Sequence, residues 1–474
     1  MSLVLFPISI IIAFFLGGQF LSSPNVQSEQ ELSEEEKQKR FSKRFSSGER
    51  TIFEAINEAN YNDDLVSCNQ DFKDQKYSEA AECLKKLVKD YPNEPEALIY
   101  YNNALSRKFA LSPQYANPQV QVVIVSADQG KRAKDMLRGV AQAQDQFNKN
   151  QFSPEPTLRF LETIIVYDSN DPEISRKIAR EIIENKSILG VIGNLSKEAL
   201  EVYEAANLAM ISPRNTSTEL KSKILFRTID YKILSKKLAE YVKQLGVEKV
   251  VIFYNNKSSS SKSLKEYFRF YFDSSKSVRE VDLTQQFLDS EVQSAIEEKF
   301  KVGILFPDLE TVDSAVKIAQ KNYQKSKEQQ LKLLGSNDLY YCNVLKKGEQ
   351  AVKGLILAVP WFKGTPEAKK FSTEVEKQWG GEVSWLTAAS YDATQVLISA
   401  LSDSGENPSR SKVLEKVKEV NLPADKTSGE DLRFSPEGER KGKAILVEVV
   451  ESSSNPGCSN LDFRQLKVDV PPTN

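Results

Sequence analysis

The chain has 474 residues, 64 basic and 66 acidic side chains, a net charge of −2 and 40% hydrophobic residues. That length implies two to four domains, and a balanced charge offers no basic face for nucleic acid. Histidine is absent, which excludes Ser-His-Asp and Cys-His nucleophile activation, imidazole metal ligation and imidazole proton shuttling.

The chain opens with an apolar run, Leu3 to Leu21, that contains no charge and is long enough to span a bilayer as a helix. No basic residue precedes the run, and Ser22-Ser23-Pro24 makes a poor cleavage site, so residues 1–23 read as an uncleaved membrane anchor. Cleavage and release to the periplasm is the alternative. Lys37, Lys39, Arg40, Lys43 and Arg44 follow the run, and such flanks usually stay cytoplasmic, which leaves orientation open. Residues 24–50 are charge-dense and read as a polar linker.

Residues 51–110 are helical in pattern. Lys76-Tyr77 makes a short turn, and small Ala80 and Ala81 stand where helices touch. Pro92-Asn93-Glu94-Pro95 opens the next helix. The segment resembles one tetratricopeptide repeat, whose unburied face would dock on a neighbour or on a protein partner. Four cysteines, Cys68, Cys83, Cys342 and Cys458, form no C-x-x-C pair. Disulfides Cys68–Cys83 and Cys342–Cys458 would suit an oxidising compartment, and four buried thiols fit the sequence equally well.

After Asn117-Pro118 the pattern changes to apolar strands alternating with amphipathic helices. Strands are expected at Val120 to Val125, Thr163 to Tyr167, Ile188 to Ile192 and Leu208 to Ile211, with helices between them. A second series follows, with strands at Val250 to Tyr254, Val302 to Phe306 and Leu331 to Gly335. This rhythm implies an α/β fold of parallel sheets covered on both faces, in two Rossmann-like lobes joined by hinge crossovers. Lobe 1 is expected to comprise residues 118–231 and 362–440, and lobe 2 residues 232–361 and 441–465. Asp168 and Asp171 bracket a turn before a helix, where Asp caps, and are not read as metal ligands. The Ser258 to Ser261 tract lacks the glycines of a phosphate loop.

The region Val120 to Val450 resembles the type I periplasmic solute-binding proteins of branched-chain amino-acid ABC importers. The resemblance is carried by Leu137-Arg138-Gly139-Val140, Tyr167-Asp168-Ser169-Asn170-Asp171-Pro172, Gly190-Val191-Ile192-Gly193 and Ile211-Ser212-Pro213-Arg214-Asn215-Thr216. Phe226-Arg227-Thr228, Leu334-Gly335-Ser336-Asn337-Asp338, Gly354 to Trp361, Ala389 to Ala393 and Phe434-Ser435-Pro436-Glu437-Gly438 follow in the family's order. The resemblance implies capture of a small polar ligand, an amino acid or related carboxylate, between two lobes. Importer membrane subunits are the implied partners, and neither catalysis nor a cofactor is implied.

Matched position by position, the turns that would hold the ligand carry Ser196 and Lys197, then Arg214 and Thr216. Arg132 falls on the first lobe's opening loop, where the family often places an aromatic cap. Asn337 stands where an acid commonly pairs with the ligand's ammonium, with Asp338 beside it. Trp361 and Phe362 lie where a crossover enters the cleft. Three added cations and one lost acid would favour an anion, such as a dicarboxylate or an acidic amino acid, over a zwitterion. The competing expectation is a membrane-tethered scaffold with a degenerate pocket whose Arg and Lys face solvent.

Overall fold

The computed structural model describes residues 42–53, 59–111, 120–126, 130–151, 160–169, 171–193, 196–214, 217, 219–273, 276–381, 383–452 and 459–467. The expected anchor lies outside them, and among the described residues no helix is long and apolar enough to cross a membrane.

Three helices come first: α1 (Ala59–Lys73), α2 (Tyr77–Asp90) and α3 (Pro95–Ala110). Helix α2 buries a single stripe, Ala80, Ala81, Leu84 and Leu87, at the three- and four-residue spacing of an amphipathic helix. Pro95 occupies the first turn of α3, where its missing N–H costs nothing. A disulfide joins Cys68 of α1 to Cys83 of α2, with the Cα atoms 5.5 Å apart. Cys342 is also disulfide-bonded; Cys458, the partner expected for it, lies outside the described residues.

Lobe 1 holds β1 (Phe45–Ser46), β2 (Val120–Ser126), β3 (Leu161–Tyr167), β4 (Ile188–Gly193), β5 (Ala209–Ser212) and β6 (Leu225–Arg227), in the order β1-β3-β2-β4-β5-β6. Strands β2 to β6 are parallel. Their crossovers are α4 (Lys131–Asn150), α5 (Pro172–Glu184) and α6 (Lys197–Ala205). Strand β1 runs antiparallel on β3, pairing Phe45 with Val166 and Ser46 with Ile165. The end of the expected polar linker is therefore part of the lobe 1 sheet.

Lobe 2 continues with α7 (Tyr231–Gln244), β7 (Lys249–Tyr254), α8 (Ser259–Phe272), β8 (Ser277–Asp282), α9 (Leu288–Glu297) and β9 (Val302–Phe306). Then come α10 (Val312–Tyr323), β10 (Lys332–Gly335), α11 (Cys342–Gly348) and β11 (Ile356–Val359). The chain returns to lobe 1 as α12 (Lys369–Trp379), α13 (Trp385–Ser402), α14 (Arg410–Glu419) and a small ribbon of β12 (Asn421–Leu422) and β13 (Leu432–Arg433). This return passage adds no strand to the six-stranded sheet of lobe 1, apart from an isolated parallel bridge between Arg227 and Glu439. Helix α13 lies so close to α4 that a Cβ on Gly139 would sit 2.3 Å from the Thr387 carbonyl oxygen. Finally β14 (Ile445–Glu451) and β15 (Leu461–Gln465) close the lobe 2 sheet, ordered β15-β14-β11-β10-β9-β7-β8.

The lobes are joined three times: at 228–230, at 360–368 and at 434–444. Thr228, Asp230, Pro360, Arg440 and Lys443 line one small recess, so the three crossovers run side by side.

A candidate ligand site in the cleft between the lobes

In an open parallel sheet, ligands bind beyond the C-terminal strand ends, where crossovers reverse and helices begin. Four of the expected residues come together there. Arg214 follows β5, while Asn337 and Asp338 form a tight turn after β10. Arg132 sits in the first turn of α4 rather than on a loop, because Gly130 is the N-terminal cap and the helix starts at Lys131. That placement fixes its side chain against lobe 2.

Arg132 Nη1 lies 3.1 Å from Asp338 Oδ1, a contact that bridges the lobes. Both residues are buried, at 7% and 3% exposure, and the geometry is a charge contact rather than an aligned hydrogen bond. A buried pair of this kind gives up much of its Coulombic gain to desolvation, so its role is to fix geometry more than to add stability. The Arg132 guanidinium also stands 5.7 Å from the centre of the Tyr341 ring, and Lys131 Nζ stands 5.5 Å from it.

Two tyrosines that sequence reasoning did not single out complete the cluster. Tyr231 opens α7 and Tyr341 immediately precedes α11. Burial pushes the Tyr231 hydroxyl above the ordinary tyrosine range, and Asp338 pushes the same way against Arg214 and Arg132. Burial likewise raises Tyr341, with Arg132 and Arg214 opposing. Both hydroxyls therefore keep their protons at neutral pH and are available as donors.

Several polar atoms here are buried without a hydrogen-bond partner among the described residues: Asn337 Nδ2 and Oδ1, the Tyr341 hydroxyl and Ser336 Oγ. The Tyr231 hydroxyl faces the Asn337 amide, but the pair does not close an aligned hydrogen bond. Leaving such a group unsatisfied costs roughly 1–3 kcal/mol. Asp135, one turn along α4, is raised by burial against the opposing pull of Arg138 and Lys131. It pairs with Arg138 at 2.7 Å.

The other expected residues stand elsewhere or serve differently. Ser196 caps α6 by accepting a hydrogen bond from the Ala199 N–H at 3.1 Å. Lys197, the first residue of α6, is exposed. Thr216 lies outside the described residues. Trp361 is buried, donates from Nε1 to the Ser428 carbonyl at 2.9 Å and meets the Phe371 ring edge-on. Asp171 caps α5 through the Ile174 N–H, and Asp168 accepts from the Ser175 hydroxyl. No group of side chains able to hold a metal occurs among the described residues.

This architecture is shared with solved structures. A leucine-binding protein from Thermotoga maritima matches over 73% of this chain and 97% of its own, at 17% identity and a TM-score of 0.60. An ABC transporter substrate-binding protein from Desulfitobacterium hafniense, solved with Leu, matches over 74% of this chain and all of its own, at 18% identity and 0.59. A solute-binding protein of an R. palustris ABC transporter, solved with benzoate, matches over 74% and 96%, at 13% and 0.60. No curated protein sequence matches the chain. The profile of a family described as periplasmic binding protein matches residues 121–454. Two parallel-sheet lobes, three adjacent crossovers and a polar cluster at the facing strand ends thus belong to a chain that is a member of the periplasmic binding protein family, whose members bind substrates and are not enzymes.

Proposed function

We propose that this chain captures a small polar solute bearing a carboxylate, an amino acid or a related acid, between its lobes. Captured solute would pass to the membrane subunits of an ABC importer or be sensed. Residues 1–23 would hold the protein at the membrane with its lobes in the periplasm, and the three-helix segment would offer a surface to a protein partner.

One observation carries the ligand assignment. Arg132, Arg214, Tyr231, Asn337, Asp338 and Tyr341 meet at the facing strand ends, where the Asn337 amide and the Tyr341 hydroxyl are buried without a hydrogen-bond partner among the described residues. Two related structures hold leucine and benzoate, and a carboxylate is the group those ligands share. A guanidinium is the side chain best matched to a carboxylate. Asp338, the acid that would meet an ammonium, is engaged by Arg132, which favours an acid over a zwitterion. Lys197 is exposed, so Arg132 and Arg214 are the cations on which that preference rests.

A thermal-shift and calorimetric screen of the full chain in mild detergent against leucine, glutamate, succinate and benzoate tests this. Ligand at about a hundred times Kd should add roughly 2.7 kcal/mol of stability. Arg214→Ala should then weaken binding by about 2–5 kcal/mol, as when a buried charge loses its partner. A flat screen would move the assignment to a second reading, a membrane-tethered scaffold. The observation favouring that reading is the same Arg132–Asp338 contact, since it closes the cleft with the protein's own side chains.

A further inference from the structure

Beside the crossovers lies a groove of about 1310 Å³ that the cleft cluster does not use, although Tyr231 borders both. Lobe 1 contributes Lys221 and Lys223 from the approach to β6, and Lys418 from the end of α14. Lobe 2 contributes Lys232 on the first turn of α7, and the third crossover contributes Lys441. All five are exposed, and none enters an ion pair among the described residues. Five ammonium groups lining one groove raise the local potential above that of a chain whose net charge is −2.

The floor of the groove is built rather than incidental. Arg227, 4% exposed, pairs with Glu439 at 2.6 Å and donates to the carbonyls of Ser217 and Leu220. Gly438 is held at φ +82°, and a Cβ there would stand 2.1 Å from the Leu225 carbonyl oxygen, so this edge is rigidly seated on β6. Among the described residues, three acids line the groove. The Glu437 carboxylate is held low by the Ser435 hydroxyl, with Lys232 and Lys441 also favouring its charged form. Asp230 is raised by burial, against its bonds to the α7 N–H groups. Burial pushes Glu439 up to about 7 despite Arg227, with Asp230 and Glu437 adding to the rise.

We propose that this groove is a second ligand site, one that takes a multiply charged phosphate-bearing anion across the hinge. A single carboxylate would neutralise one lysine, whereas a polyphosphate meets Lys221, Lys223, Lys232 and Lys441 together. Because the cations come from both lobes and a crossover, the bound anion holds the lobes in their present relation. Occupancy and lobe closure are coupled by the same contacts.

The test is direct titration of the full chain in mild detergent with tripolyphosphate, read by calorimetry and melting temperature, and it needs no cleft ligand. Saturable binding of one tripolyphosphate is expected, with a rise in melting temperature. Lys221→Glu with Lys223→Glu on one lobe, and separately Lys232→Glu on the other, should each weaken binding about tenfold or more. Lys301→Glu, on an exposed residue outside the groove, should leave binding unchanged. ATP and water-soluble dioctanoyl phosphatidate serve as further probes. Tighter binding of ATP assigns a soluble phosphate, tighter binding of the phosphatidate assigns a lipid headgroup, and either supports the site. Absence of saturable binding, or loss no greater in Lys232→Glu than in Lys301→Glu with unchanged melting, overturns it.

Discussion

Asn103 and Asn337 are both completely buried, and they have opposite surroundings. Asn103, on α3, donates from Nδ2 to the carbonyls of Ser47 and Thr163. Its Oδ1 accepts from Gln144 Nε2 and the Thr163 N–H, at distances from 2.7 to 3.1 Å. One side chain thereby ties the helical segment, the entering chain, β3 and α4 together. Asn337 is buried between the lobes with neither amide atom hydrogen-bonded among the described residues. Burial alone does not distinguish a structural amide from a functional one; the state of its hydrogen bonds does.

The sharpest way to break this comparison is to make the same substitution twice. Asn103→Leu removes four bonds and strands their partners, and should cost roughly 3–6 kcal/mol in urea denaturation. Asn337→Leu removes none, and should change stability by less than about 1 kcal/mol while abolishing ligand capture. Equal destabilisation by the two would show that the cleft amide is as structural as the other.

A charged counterpart sits in the same interface as Asn103. Glu96 accepts from the Ile52 and Phe53 N–H groups and from the Tyr100 hydroxyl. Even so, burial raises it to about 7. A carboxyl whose folded value lies above its unfolded value binds its proton more tightly when folded. Its contribution is therefore complete below the unfolded value and is lost as pH rises through about 7. This amounts to on the order of 3 kcal/mol between pH 4.5 and 8. Glu439 shifts the same way, so the measurement is the difference between the wild-type and Glu96→Gln profiles. A profile no flatter in the variant would remove Glu96 as the source.

The smallest expected effect concerns Ser196. Its hydroxyl accepts the Ala199 N–H, so Ser196→Ala should cost about 1 kcal/mol of stability, as for other lost caps. A further loss of about 0.5–1.5 kcal/mol in ligand affinity would show that the hydroxyl proton also reaches the ligand. Unchanged affinity would place Ser196 with Asn103 as architecture.

The parallel strands of the two sheets are legible because they are β-branched or apolar runs in the sequence, as in Val120–Ser126 and Lys249–Tyr254, and the helices between them are amphipathic. Strand β8 is not, since Ser277–Asp282 is an edge strand of largely half-buried polar residues without a clean alternation. Nor is β1, two residues that take their strand character from β3. In the cleft, Arg132, Arg214, Asn337 and Asp338 are candidates through their position-by-position match to the family, and the fold brings the four together. Tyr231 and Tyr341 were missed because a tyrosine at a helix start reads as ordinary core. Their only signal was adjacency, one beside the 228–230 crossover and the other three residues after Asp338.

The pairing of β1 with β3 also determines how the molecule would carry a load. Arg44 donates to the Tyr167 carbonyl and the Ser169 hydroxyl and lies over the Tyr167 ring. A pull on the chain ahead of residue 43 is therefore taken up in shear along lobe 1. The three crossovers lie beyond that line of force. Tension applied ahead of residue 43 would be borne by the lobe 1 sheet and would leave the crossovers to lobe 2 unloaded.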